Sequence, residues 1–215
     1  MFENMPIPLV NSISEQVYTA LKKEILAGEL QPGARLLVLE IAKKFNISQA
    51  PVREALERLK SAGFITGIPN KGSIVSYITD KEIKDIFELR EIIEGFAVRQ
   101  SMKQLNENDF NYLEDIIRQM DLAHEQNDIL NILELDMEFH GFFYRRCDNH
   151  MILDLWNRMR IKVMRFMAIS NRFYSTEELA DWHLRLVDVM RSGDAALAEE
   201  AFTLHMHSYK MIHLN

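Results

Sequence analysis

The sequence predicts a mainly α protein in two parts, an N-terminal winged helix-turn-helix over residues 1–77 and a C-terminal all-helical bundle over residues 78–215. Three observations predict it. Apolar residues recur at helical spacing in three short segments ahead of Phe64, and a β-branched hairpin pattern, FITGIPNKGSIVSY, comes next. Beyond Tyr77 every apolar stripe has helical period, with no strand signal and no internal repeat.

The elements follow in order. Ser12 and Glu15 have capping-box spacing, and Val17, Ala20, Leu21 and Ile25 continue at helical period to Gly28, giving the first helix. LQPGARL is read as a turn because of Pro32-Gly33; Leu39, Ile41, Ala42 and Phe45 then form a short second helix stopped at Asn46. Ser48 is placed to cap a third helix, SQAPVREALERLKSAGF, in which Pro51 is tolerated in the first turn and Gly63 ends the run. Val52, Ala55, Leu56 and Leu59 make its buried stripe, which leaves Gln49, Ala50 and Arg53 outward at the N-terminal end. Two short strands flank a Pro69-Asn70-Lys71-Gly72 turn. Thr79 with Glu82 starts the bundle, and helical stretches are expected at about 80–104, 107–126, 128–146, 150–170, 176–191 and 194–212. Ser175 with Glu178 marks one further start, and Gly193-Asp194 separates the last two helices.

At 215 residues, 47% apolar and 27% charged, the composition is that of a globular protein rather than a disordered one. No apolar run approaches a membrane span, and the first residues, MFENMPIPLV, lack the pattern of a secretion signal, so a cytoplasmic location is expected. The lone Cys147 has no partner for a disulfide or a paired-thiolate metal site and is expected to be packing. Residues 1–76 carry nine Lys and Arg against seven Asp and Glu, a balance of +2; the remainder carries −9, for a total of −7. A slightly basic front on an acidic chain is compatible with a nucleic-acid reader, though an ordinary solvated surface gives the same balance.

In a winged helix-turn-helix the third helix enters a major groove. Gln49 and Arg53 then reach base edges or phosphates, and Lys71 at the wing tip reaches backbone or minor groove. The alternative for Arg53 is a surface cation pairing with Glu57 at i+4, worth a few tenths of a kcal/mol.

PGARL, LEIAKKFNISQAPVREALERLKSAGF and NKGSIV together resemble the DNA-binding domain of the GntR family of bacterial transcription regulators. Pro32-Gly33, Pro51-Val52-Arg53-Glu54-Ala55-Leu56, Leu59, Gly63 and Gly72 occur in order at that family's spacing over about residues 11–77. The resemblance implies DNA contact by Gln49, Ala50, Arg53, Lys71 and Gly72. Many members have Arg where this chain has Gln49, and Leu39 also stands at an often-basic position, so the base preference at those contacts is this chain's own.

In the bundle, the informative residues are polar ones on apolar stripes. Leu133, Asp136, His140 and Phe143 share one helix face. His183 lies in the stripe Leu179, Trp182, Leu186, Met190, and His205 in the stripe Ala198, Ala201, Ile212; His207 falls about 200° from His205 and belongs to another face. Any one of these histidines alone reads as a satisfied core residue. Three with an aspartate, on separate helices of one bundle, point to a divalent metal, because an oxygen and three imidazole nitrogens around a cation resolve all four buried polar groups together.

ELREIIE, LDMEFHGFFYRRCDN, WHLRLVDVMRSGD and AEEAFTLH resemble the FCD effector-binding domain that defines the FadR subfamily of GntR regulators. The resemblance implies a metal held by Asp136, His140, His183 and His205, with zinc favoured and nickel or another transition metal as alternatives. Trp182 departs from it, standing where an acid commonly precedes the histidine. Arg90, in line with Ile83, Ile86 and Ala97, either snorkels, pairs with an acid, or binds a small carboxylate effector by a charge-assisted fork. The resemblance implies organic acids as effectors and gives Asn171 as a further pocket residue.

The resulting reading is not an enzyme but a ligand-responsive transcription regulator, a homodimer on a palindromic double-stranded DNA operator, with repression released by effector as the family's commoner habit. Two alternatives remain: a metal-dependent enzyme acting on a small hydroxy or carboxylic acid, or a regulator sensing the metal itself. Against the enzyme, Glu134 and Glu138 lie off the ligand face, and the chain has no nucleophile motif or phosphate loop.

Overall fold

A computed structural model describes residues 12–69, 72–170 and 179–207, and they separate into two compact units, the first ending at Ser76 and the second beginning at Tyr77, with Leu26–Gly28 grouped with the second. The first holds helices α1 (Ile13–Leu26), α2 (Val38–Phe45) and α3 (Gln49–Ser61) with strands β1 (Arg35–Leu36), β2 (Ile65–Ile68) and β3 (Gly72–Val75). The strands form one antiparallel sheet in the order β1-β3-β2, with Ile65 opposite Val75 and Arg35 opposite Ile74.

The Glu15 amide donates to Ser12 Oγ at 3.2 Å, so the expected start of α1 is present. Val17, Leu21 and Ile25 from α1, Ile41 and Ala42 from α2, and Val52, Ala55, Leu56 and Leu59 from α3 are buried, with Phe64, Ile65 and Val75 from the hairpin. Asn46 ends α2 in the left-handed region (φ 53°), which asparagine tolerates.

Three local expectations are corrected. The Pro32-Gly33 segment does more than turn: Gly33 (φ 82°) donates its amide to the Val75 carbonyl, and the following Arg35 and Leu36 pair with β3 as a third strand. Ser48 stands at the start of α3, but its side chain caps nothing. One of the two amides a cap would reach belongs to Pro51, which has no N–H. Leu39 is 68% exposed rather than part of the α2 core stripe.

The second unit contains α4 (Asp80–Ser101), a 3-10 turn (Met102–Gln104), α5 (Glu107–Glu125), α6 (Ile129–Arg146), α7 (His150–Ser170), α8 (Leu179–Arg191) and α9 (Ala195–Met206). Thr79 and Glu82 form the full capping box: the Glu82 amide donates to Thr79 Oγ1 at 3.2 Å, and the Thr79 amide donates to Glu82 Oε2 at 3.4 Å. Gly193 (φ 79°) turns the chain into Asp194, whose carboxylate accepts from the Ala196 and Leu197 amides. The Ser175–Glu178 start, and Ile212 of the last stripe, lie outside the described residues.

Helix α6 packs against α4, α5 and α7, and α9 packs against α4 and α8. The α4–α9 contact is close at Gly95, where a Cβ would come within 3.1 Å of Glu199 Cγ and 3.2 Å of Thr203 Oγ1. Cys147 is buried, as its packing role requires. This arrangement brings the inward sides of α4, α6, α8 and α9 to one place. No helix among the described residues is long and apolar enough to cross a membrane.

Candidate functional site

At the reading head, α3 carries Gln49, Ala50 and Arg53 on its exposed side while its other face is buried. Arg53 Nη2 donates to Gln49 Oε1 at 2.9 Å, which holds the two side chains together one helical turn apart. Glu57, the sequence alternative for Arg53, pairs instead with Lys60 at 3.7 Å. Arg58 is taken up by Glu15 (2.6 Å) and the Tyr18 ring (4.4 Å), and Lys44 by Glu24. Arg53 pairs with no acid among the described residues. Gly72 (φ 84°) begins β3 and is exposed; a Cβ there would lie 3.2 Å from Leu37 Cδ2, so both conformation and space favour glycine. Lys71 lies outside the described residues.

The second cluster is in the bundle. His183 is fully buried, and its Nδ1 lies 2.7 Å from the Leu179 carbonyl, which can only accept, so Nδ1 carries the proton and Nε2 faces the cluster. His140, also buried, turns Nδ1 to Glu94 Oε1 and points Nε2 toward His183 Nε2, 3.4 Å away. Asp136 Oδ1 lies 3.2 Å from His183 Nε2 and 3.7 Å from His140 Nε2. His205, from α9, faces His140 and His183 with ring centroids 5.3 and 5.0 Å away, and the three histidines each offer a nitrogen within 4.8 Å of the others. The edge of Phe139 closes on His183 at 4.6 Å and Phe202 lies 6.3 Å from His140, so the packing around these rings is aromatic.

The electrostatics of this cluster favour a cation. Although burial works against its charge, Asp136 is held far below the usual carboxylate range by the neighbouring His140, His183 and Arg90. Desolvation of its ring, and then His183 and His140, push His205 well below the usual histidine value. With their Nδ1 atoms turned to Glu94 and to the Leu179 carbonyl, His140 and His183 present their Nε2 lone pairs beside the Asp136 carboxylate. A metal bound at about 2.0–2.1 Å in tetrahedral geometry separates its donors by about 3.3–3.4 Å; the 3.2 and 3.4 Å spacings suit that need, Asp136 and His140 stand wider at 3.7 Å, and the group within 4.8 Å is the three histidines without Asp136. The donor set fits a divalent transition metal.

Two residues sit differently from the sequence expectation. Trp182 is 38% exposed, at the border of the cluster with its ring 6.5 Å from His205, rather than inside the α8 stripe. The buried side of α8 is formed by Leu179, Ala180, His183, Leu186, Val187 and Met190, and Trp182 lies beside it. Arg90 is buried at 2% exposure and takes the acid-pairing option: Nε donates to Glu94 Oε2 at 3.0 Å. Its Nη2 lies 2.8 Å from the same oxygen as an ion pair, and among the described residues makes no hydrogen bond. Asn171 lies outside the described residues. His207 faces elsewhere, toward Glu91 at 3.1 Å.

The sequence reading missed Glu94, fully buried on α4 and joined to His140, Arg90 and Tyr144. The available signal was its i+4 spacing from Arg90. Its contacts with α6 are long-range and leave no local pattern.

Residues 13–75 match the bacterial regulatory proteins of the gntR family, and residues 85–208 match the FCD domain. The chain belongs to the GntR family of regulators, with an FCD domain as its second unit. This GntR regulator is 28% identical over 201 residues to the "Probable D-xylose utilization operon transcriptional repressor" of Paenarthrobacter nicotinovorans, covering 92% of this chain and 87% of that one. It is 28% identical over 195 residues to the HTH-type transcriptional repressor RspR of Escherichia coli K12, covering 90% and 86%. Among solved structures, Escherichia coli McbR/YncC superposes with a TM-score of 0.70 at 24% identity over 94% of this chain and 97% of that one. A GntR regulator from Rhodococcus sp. RHA1 gives 0.73 at 18% identity over 92% and 95%. These likenesses bear out the winged helix-turn-helix and the helical FCD fold, and they make the protein a DNA-binding transcription regulator rather than an enzyme.

Proposed function

We propose that this GntR regulator, of the FadR subfamily, is a metal-loaded repressor. Asp136, His140, His183 and His205 hold one divalent ion per chain, zinc by preference, and a small carboxylate binds beside it with Arg90 as its guanidinium partner. Gln49, Ala50, Arg53, Lys71 and Gly72 meet a palindromic operator as a homodimer in the cytoplasm. The observation that carries the reading is the convergence of the His140 and His183 Nε2 atoms beside the buried Asp136 carboxylate, with His205 completing the cluster. Bound there, the metal supplies a positive charge that a carboxylate seeks. The Arg90 Nη2 group, close to Glu94 but without a hydrogen bond, offers the second anchor. An acid that favours one domain arrangement over the other shifts operator affinity by that difference.

The test is selection of genomic DNA fragments by the zinc-loaded protein at physiological salt, then titration of the retained operator with small carboxylates. A shared palindrome whose binding changes with an acid supports the reading. Operator binding that responds to no acid, and is lost when metal is chelated, favours the second reading, a sensor of the metal itself. The existing Arg90–Glu94 pair is what keeps that second reading in play, since an incoming acid must compete with Glu94.

A further inference from the structure

Glu94 enters the function above only as the present partner of Arg90, yet it is the most heavily partnered buried acid beside the cluster. Its Oε1 meets His140 Nδ1, while Oε2 accepts from the Tyr144 hydroxyl at 2.9 Å and from Arg90 Nε at 3.0 Å. Those partners are themselves fixed. Tyr144 stacks on Trp156 at 4.6 Å with the rings 8° apart, and Arg90 lies between Phe87 (5.3 Å) and Trp156 (5.4 Å). A carboxylate buried this completely is tolerated only when well paired, and here a guanidinium, an imidazole and a phenol all bond it.

The geometry points to Glu94 as the positioning residue of the metal centre: it accepts the His140 Nδ1 proton, so that Nε2 is the nitrogen left bare toward His183 and Asp136, and its other oxygen holds Arg90. The inference rests on the metal reading of the four-residue cluster. Carboxylates that accept from a ligating imidazole fix its tautomer and raise its basicity, and their loss typically weakens metal binding about 10–100-fold. One carboxylate also joins the metal's ligand to the guanidinium assigned to the acid. Metal and acid sites are thereby connected through a single side chain across α4 and α6.

Two measurements on the full chain decide it. In nitrogen-15 histidine NMR of the chelated protein near neutral pH, with His140 assigned by its absence from His140→Gln, the expected state is Nδ1 protonated and Nε2 bare. A proton on Nε2 overturns the inference. This needs no change at Glu94 and stands even where a Glu94 variant does not fold. In zinc competition titrations, folded Glu94→Gln should bind one ion about 10–100-fold more weakly, and Tyr144→Phe, which leaves the His140 contact intact, should stay within about threefold of the parent. Zinc affinity unchanged in Glu94→Gln, or equally reduced in Tyr144→Phe, overturns the positioning role. A parent protein that takes no zinc defeats the metal reading, and the NMR tautomer then decides separately whether Glu94 orients His140.

Discussion

His140 and His183, on α6 and α8, bring their Nε2 atoms within 3.4 Å of each other while each ring's Nδ1 is engaged elsewhere, at Glu94 and at the Leu179 carbonyl. On the metal reading, a cation between these two nitrogens and Asp136 would be met by both rings and the carboxylate together.

Removing one of these rings should empty the site without unfolding the protein. His183→Ala is expected to reduce bound zinc from about one ion per chain to near none at micromolar metal, while the far-ultraviolet circular dichroism stays helical. Elemental analysis of the dialysed variant checks this, and full metal content would remove His183 from the ligand set.

On the DNA side, Arg53→Ala should cost roughly 1 to 3 kcal/mol of operator binding if the guanidinium reads a base, or flatten the salt dependence if it holds a phosphate. Binding isotherms at several salt concentrations separate the two. An unchanged affinity and slope would place Arg53 outside the interface.

The reading head depends on a small core, so its losses should be large. Leu59 on α3 is fully enclosed, and Leu59→Ala is predicted to destabilise this unit by about 2–5 kcal/mol. Denaturant unfolding measures it; a loss well below about 1 kcal/mol would mean that α3 is not packed as described.

Acid should destabilise the metal-free protein through Glu94. Burial raises its pKa, but Arg90, His140 and Tyr144 outweigh that and bring it down from 4.5 to about 2. A carboxyl with a depressed folded value contributes stability that is complete above its unfolded value and is lost as pH falls through the folded one. Chelated protein should therefore unfold at progressively lower urea concentration from about pH 5 to about pH 3, with a shallower fall in Glu94→Gln. Identical slopes for the two proteins would show that Glu94 is not held as a buried anion.

Much of this was legible because it is written in local spacing. Asp136 and His140 are one turn apart, His183 and His205 each sit among apolar residues at helical period, and Thr79 and Glu82 announce the start of α4. What escaped depends on contacts that spacing does not encode. Glu94 acquires its meaning from His140, 46 residues away, and Tyr144, 50 residues away. Strand β1 is two residues long and exists only because β3 passes beside it. Leu39 and Trp182 fit helical stripes in sequence but lie at the margins of their helices' buried sides, where period alone does not decide exposure.

The central claim is that Asp136, His140, His183 and His205 form one metal centre in each chain. Native mass spectrometry of the full-length protein, equilibrated with zinc or nickel and exchanged into volatile buffer, tests it most directly. The account predicts one divalent ion per chain in the parent and none in His140→Ala; a parent that stays metal-free in both metals, or a His140→Ala that retains its ion, would contradict it.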